Sequence, residues 1–164
     1  MHIRPAQPAD AEAIAAIYNY AVRETTATFD TEDKTPEDRR AWLEARRLEH
    51  PVLVAEDGAG DVVGWGAFSP WSERCSYRAT VEASVYVEAR HLRQGIGSAL
   101  AEALLAAAPG LGIHVVLSRI CTENVASMAM SERLGFTLVG TMHDVGRKFD
   151  RWLHVALYEL VLSE

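Results

Sequence analysis

The sequence is short of the residues that build covalent or metal frameworks. Its 164 positions hold two cysteines, Cys75 and Cys121, too few for a disulfide scaffold or a zinc cluster. Two free thiols in a reducing compartment is the reading that fits. The six histidines form no His-x-x-x-His pair, and no metal is expected. No apolar run approaches the ~18 residues that span a bilayer. The start, Met1-His2-Ile3-Arg4-Pro5, lacks the apolar stretch of a signal peptide. A soluble, cytoplasmic protein is expected. Positive charge is also scarce: 16 Lys and Arg face 23 Asp and Glu, for a formal net charge of −7. That argues against nucleic acid and membrane surfaces as partners, while local basic clusters can still hold an anion. Repeats, low-complexity tracts and interdomain linkers are missing, so residues 1–164 read as a single domain.

What is there has an ordinary globular balance, 49% hydrophobic and 24% charged. His2–Arg4 suits a short first strand. Ala13, Ile14, Ile17 and Ala21 fall at helical spacing, which predicts a helix over Pro8–Tyr20. Thr25–Thr31 reads as a loop around Phe29. Thr35 and Pro36 supply an N-cap and a first helical residue for a second helix running to about Leu48. Strands follow at Val52–Ala55, Val62–Phe68 and Thr80–Val87, with Ser69–Arg78 irregular between the last two. Gly95 opens a helix with Ile96, Leu100 and Leu104 on one face. His114–Ile120 reads as a strand and Asn124–Leu134 as a helix stopped by Gly135. Phe136–Met142 and Trp152–Leu162 read as the last two strands. The sum is an α+β domain, a mixed sheet with helices on its faces.

The most informative stretch is the strand Thr80–Val87, the turn Glu88–Gln94, and the helix that begins Gly95-Ile96-Gly97-Ser98. A helix N-terminus presents unpaired N–H groups and partial positive charge. Glycines let that backbone close on phosphate oxygens. Arg90, His91 and Arg93 add charge, and the whole suits a pyrophosphate. It is neither a Walker sequence nor a dinucleotide fingerprint. On glycine spacing alone, phosphate binding and an ordinary strand-to-helix turn are equally good readings.

This order of elements, with the Gly-x-Gly turn, Asn124-x-x-Ser127 and the Leu134-Gly135-Phe136 helix end, resembles the GNAT acetyltransferase family over nearly the whole chain. Four stretches resemble its phosphinothricin and methionine sulfoximine N-acetyltransferase group more closely: Tyr18–Val22 with Thr25–Phe29, Tyr77–Val87, Asn124–Ser127, and Val145–Leu153. The resemblance implies a GNAT fold, α/β/α layered, with a mixed, mostly antiparallel twisted sheet of about seven strands and about four helices. It implies acetyl-CoA as cosubstrate and the primary amine of a small amino-acid-like molecule as acceptor. Backbone groups of Val85, Tyr86 and Val87 are then expected to pair with the pantetheine amides. Arg93, Gln94, Gly95, Ile96, Gly97 and Ser98 are expected to wrap the pyrophosphate, and Asn124 and Ser127 to lie near the thioester. The Lys148–Leu153 segment is expected beside the active site and a homodimer contact, with Trp152 as an anchor.

Glu82 carries the chemistry in this reading. Alternation puts Val81, Ala83, Val85 and Val87 on one face of the strand, and Thr80, Glu82, Ser84 and Tyr86 on the other. A carboxylate on a central strand is costly unless paired, solvated or employed. Amine acetylation needs a neutral amine, and a carboxylate in a cleft can take its proton directly or through water. The competing reading of Glu82 is a structural ion pair with Arg78. Arg74 and Arg78 are also candidates to grip a substrate carboxylate, with Thr80 beside them and Phe29 as an apolar wall. Two departures stand out. Leu92 occupies the turn position where the family carries Arg or Gln, leaving Arg93 and Gln94 to substitute. Ser131 replaces the family's Tyr or the group's His; serine is a poor acid, so either water protonates the thiolate or it leaves unprotonated.

The remaining residues read as structural. Cys121 looks like a small packing residue, Trp42 and Trp65 like core, His114 like a structural residue, and His154 like surface or core. Arg39-Arg40 and Arg46-Arg47 look like a solvated helix face. Two other functions stay open: a protein or peptide N-acetyltransferase, and a non-catalytic acetyl-CoA-binding module.

Overall fold

The computed structural model describes residues 1–163. Strands β1 (His2–Pro5), β2 (Val52–Glu56), β3 (Val62–Pro70), β4 (Thr80–Val87), β5 (Val115–Cys121), β6 (Thr137–Lys148) and β7 (Arg151–Val161) form one sheet, ordered β1-β2-β3-β4-β5-β7-β6. All neighbours pair antiparallel except β4 and β5, which run parallel. Helices α1 (Ala11–Glu24), α2 (Pro36–Glu44), α3 (Ile96–Ala107) and α4 (Val125–Arg133) complete the α+β architecture.

Strand alternation sorts the core onto two faces. Ile14, Ile17 and Tyr18 of α1 pack against Val54, Trp65 and Ala67. On the opposite face Leu104 of α3 packs with Phe68, Val81, Val116 and Phe136. Each such fully buried side chain contributes about 1.5–3 kcal/mol. On the valine face of β4, Val81 is fully buried, while Val85 and Val87 are half-buried against the Val63–Leu100 cluster. Tyr86 on the other face is packed too, edge-on to Tyr18 and close against Trp65.

Three segments differ from the sequence-based expectation. Pro8–Asp10 form a 3-10 turn, and α1 then runs on to Glu24, where extended Thr25 stops it. Helix α2 ends at Glu44 instead of Leu48. Beyond it, Arg46 turns inward and donates from Nε to the His50 carbonyl, 2.8 Å away, and from Nη2 to the Phe68 carbonyl. The arginines of α2 are not a uniformly solvated face. Arg39 is buried, its guanidinium 4.5 Å from the Tyr18 ring and 4.9 Å from that of Trp42. Strand β6 extends six residues past Met142, to Lys148, because a bulge between Met142 and Gly146 absorbs the break in alternation. A two-residue turn then closes the hairpin, with Phe149 and Asp150 both left-handed (φ 53° and 58°).

Arg4 ties β1 to the start of α1. Its Nη1 and Nη2 donate to Asp10 at 2.8 and 2.9 Å, and its Nε donates to Glu56 at 2.7 Å. The Arg4 hydrogen bonds hold the nearly buried Asp10 carboxyl below its usual 3.8, against the opposing effect of burial. A depressed carboxyl stabilises the fold above its unfolded pKa and loses that contribution as pH falls through the folded value. Asp10→Asn is expected to lower the unfolding free energy at pH 7 by about 1–3 kcal/mol. The difference from wild type should shrink as pH falls below 3.8. Urea denaturation at pH 7 and pH 3 measures both.

Candidate active site

The parallel pairing of β4 with β5 covers only Thr80–Glu82 against Val115–Leu117. Beyond it each strand stays with its outer neighbour: β4 pairs β3 as far as Val87, and β5 pairs β7 as far as Cys121. The gap opens into a cavity of about 540 Å³. Its walls are residues 82–86 of β4, residues 118–121 of β5, Ala101 of α3, and Asn124, Ser127, Met130 and Ser131 at α4. Residues 26–30 of the α1–α2 loop close one side, with Met142, Val145 and Val155 of the β6–β7 hairpin.

Glu82 sits where the strands part. Its partner is Arg119, not Arg78: Arg119 Nε donates to Oε1 at 3.0 Å and Nη2 to Oε2 at 2.6 Å. The pair raises the Arg119 pKa, chiefly through those hydrogen bonds. Arg119 also lies over the Trp71 ring, 5.4 Å from its centre. Sequence reasoning missed Arg119. The signal was a lone charge in the apolar strand Val-Val-Leu-Ser-Arg-Ile-Cys. The parallel register, with Leu117 opposite Glu82, puts that charge on the carboxylate's face.

Phe29, Glu82, Val85, Tyr86, Asn124 and Ser127 all reach the cavity wall, as do Cys121 and Ser131, both buried. Arg74, Arg78 and Thr80 do not; the two arginines are exposed beside the short turn Cys75–Tyr77. Asn124 is the N-cap of α4, its Oδ1 accepting from the Ser127 amide at 3.2 Å. The Phe29 loop is pinned from several sides. Tyr18 donates to Asp30, and its hydroxyl lies 2.9 Å from Thr28 Oγ1. Burial, helped by Asp30, pushes the Tyr18 phenol up to about 12. Asn19 exchanges two 2.8 Å hydrogen bonds with the Lys34 backbone. Buried Lys148 donates to the carbonyls of Ala21, Thr25 and Thr28 at 3.3, 2.7 and 2.8 Å. Burial pulls the Lys148 pKa down, while the three carbonyl oxygens favour its charge. A Cβ at Gly146 would overlap the Phe29 ring, so this glycine seats the loop's aromatic wall.

Val87 and Arg93–Ser98 lie outside the cavity wall, at the end of β4 and the start of α3. Gly95 is the α3 N-cap, left-handed at φ 80°, without a side-chain cap. The Gly95 carbonyl accepts from Ala99, so the amides of Ile96, Gly97 and Ser98 have no helical acceptor. The side chain of Ile96 is in the core, and only its backbone is available. The basic cluster is smaller than expected. Glu88 binds Arg90 at 2.6 Å and His91 at 2.7 Å, leaving Arg93 as its uncompensated charge. Glu88 and His91 stand at Glu-x-x-His spacing and pair with each other. Among the described residues no group of three His, Cys, Asp or Glu could hold a metal.

These features fit acetyl-CoA. An uncapped helix start accepts an anion, and the β4 edge freed of β5 offers backbone groups to an amide-bearing arm. A Cβ at Gly97 would lie 3.6–3.8 Å from Val87, Met130 and Val85, ordinary contact distances. Gly97→Val is expected to fold normally by circular dichroism, while its methyl groups cover the neighbouring amides. Acetyl-CoA affinity by calorimetry should fall more than tenfold, about 1.4 kcal/mol or more.

Comparison with known proteins agrees with this geometry. Residues 14–136 match the acetyltransferase (GNAT) family. An L-methionine sulfoximine/L-methionine sulfone acetyltransferase of Pseudomonas paraeruginosa is 42% identical, over 98% of this chain and 94% of its own. A phosphinothricin N-acetyltransferase of Streptomyces coelicolor is 39% identical, over 97% and 95%. A structure from Salmonella typhimurium, solved with its cofactor acetyl-CoA, superposes with a TM-score of 0.96 at 41% identity, over 100% of this chain and 95% of that one. The chain belongs to the GNAT family and is an acetyl-CoA-dependent N-acetyltransferase.

Proposed function

We propose that the enzyme acetylates the primary amine of a small amino-acid-like substrate, of the methionine sulfoximine or phosphinothricin type, with Glu82 as general base. The observation that carries this reading is the position of Glu82. It stands at the parting of β4 and β5, on the wall of the cavity those strands open. The related enzymes that act on such amino-acid analogues support the substrate class.

Acetyl-CoA supplies the thioester carbonyl that the amine attacks. The chain's own residues do the rest. Backbone groups of Val85–Val87 hold the pantetheine arm, the amides of Gly95–Ser98 and the Arg93 guanidinium hold the pyrophosphate, and Asn124 and Ser127 line the approach to the thioester. An amine arrives protonated at neutral pH, with no lone pair to attack. Glu82 takes that proton, directly or through one water, and frees the nitrogen for the new amide bond. Phe29 and Val145 keep the acceptor's side chain against an apolar wall. Ser131, in the family's acid position, is too weak an acid to give up a proton at neutral pH, so the leaving thiolate takes its proton from water, and the second proton shed by the new amide nitrogen passes to solvent.

We read the chain as one domain of a cytoplasmic homodimer. No helix among the described residues is long and apolar enough to cross a membrane, and both cysteines are free. Met142, Val145, Phe149 and Trp152 are each exposed on the β6–β7 hairpin. Exposed apolar groups of that size on one hairpin suit contact with a second copy.

Glu82→Gln is nearly isosteric; it removes the basicity and one of the two oxygens that accept from Arg119. The turnover number should fall about 10²–10⁴-fold at pH 7. The defect should narrow toward pH 10, where the amine is already neutral. Acetyl-CoA affinity should hold. Rate profiles from pH 6 to 10 with methionine sulfone as acceptor measure it, and a near-normal turnover at pH 7 removes Glu82 from the chemistry. Light scattering should give a mass twice the 18.1 kDa chain, and Trp152→Asp should shift it toward the single chain.

A further inference from the structure

The cavity holds a charged pair that the proposed chemistry uses only by half. Both Glu82 oxygens are taken by the Arg119 fork, at 3.0 and 2.6 Å. A carboxylate engaged in this way has its best lone pairs occupied, so Arg119 must yield before Glu82 serves an amine. Among the described residues lining the cavity, Arg119 is the sole Lys or Arg. Arg74 and Arg78 stand outside it. The two partners differ in freedom: the Arg119 side chain is 53% exposed and that of Glu82 is 17% exposed. The arginine is the member that can swing, and the Trp71 face beneath it offers a surface to slide on.

We propose that Arg119 is the residue that selects substrates bearing a carboxylate, by exchanging Glu82 for the substrate's own carboxylate. This rests on the amino-acid-like substrate proposed above. In an α-amino acid the ammonium and carboxylate share one carbon, so they arrive as adjacent opposite charges. They meet adjacent opposite charges of inverse order. The ammonium goes to Glu82 and the carboxylate to the Arg119 fork, which already holds a carboxylate with two parallel hydrogen bonds. The exchange is neutral on both sides and leaves no charge without a partner. It also leaves Glu82 on the group it is to deprotonate. An amine without a carboxylate must displace Arg119 and leaves the guanidinium uncompensated, so the site discriminates against it.

The test compares methionine sulfone with 3-(methylsulfonyl)propylamine, the same molecule without its carboxylate. Wild type should prefer methionine sulfone in kcat/KM. Arg119→Ala should raise KM for methionine sulfone about tenfold to a hundredfold. It should leave KM for acetyl-CoA within about twofold and lower KM for the simple amine, which no longer has a guanidinium to displace, erasing the preference. Arg119→Lys should restore part of it, because an ammonium keeps the charge without the fork. If Arg119 merely steadies Glu82, Arg119→Ala will harm both amines equally, chiefly in kcat, and the inference falls while the proposed function stands. Unchanged kinetics with both amines overturns it equally. A wild-type enzyme that acetylates neither amine overturns the substrate reading and this inference together.

Discussion

The site depends on one constraint: β4 and β5 pair over three residues and then separate. Each strand is claimed by its outer neighbour. Seven register positions bind β5 to β7, and β4 stays with β3 to its last residue. The sheet therefore behaves as two halves joined at Thr80–Glu82. Val81 and Ile120 belong to the same core cluster as Leu104 and Phe136, so apolar packing props the seam. A sheet edge left open inside a protein costs about 1–3 kcal/mol for each buried unpaired group. Here the edge faces a cavity that solvent or ligand can fill, which removes most of that cost. The same opening puts Glu82, at the last paired position, in reach of the cavity.

A second coupling runs between elements distant in sequence. Lys148, at the end of β6, is bound to three carbonyls from residues 21–28, including the last turn of α1. A cation at a helix C-terminus meets the negative end of the dipole, and its hydrogen bonds fix the loop that carries Phe29. The Phe149–Asp150 turn that follows is strained, since a non-glycine residue in the left-handed region costs on the order of 1–2 kcal/mol. Cation contacts from Lys148 and Arg151 to the Phe149 ring, at 5.2 and 5.6 Å, help to offset it. The hairpin that carries the exposed apolar surface thereby also sets one wall of the cavity. Lys148 and Gly146, on which Phe29 rests, together tie the hairpin to the Phe29 loop.

Much of this was legible in the sequence because the signals were local. The limits of β4, the glycine turn into α3 and the cap at Asn124 are each written in consecutive residues. Glu82 stood out because a charge on a central strand needs a reason. Its partner was harder to find. Arg78 is near in sequence, but Arg119 reaches Glu82 only through the parallel register, a tertiary fact. The arginines of α2 misled for a related reason. Charge on an amphipathic helix reads as solvated, yet an aromatic cluster of Tyr18, Trp42 and Trp65 can take a guanidinium by its flat face. Lys148 lay inside a stretch shared with the family, but its role required knowing that the β6–β7 turn folds back onto α1. The bulge at 143–145 broke the period-2 pattern and hid half of β6.

The chain's excess of negative charge does not conflict with an anionic cosubstrate. At physiological salt, charges farther than about 8 Å are largely screened, so the groups at the α3 start decide. Glu88 there pairs with Arg90 and His91, and in the proposed binding mode the attraction comes from backbone amides and Arg93. Amides give direction where flexible side chains would give only charge. The Glu82–Arg119 pair follows a similar logic. A fully buried pair would be locked, because separating it strands a charge in low dielectric. A largely exposed pair holds by about 1 kcal/mol or less. Glu82 is mostly covered and Arg119 half in solvent, so the carboxylate keeps its place while its partner opens at little cost. The proposed role of Glu82 as base, which needs it both positioned and available, is served by that asymmetry.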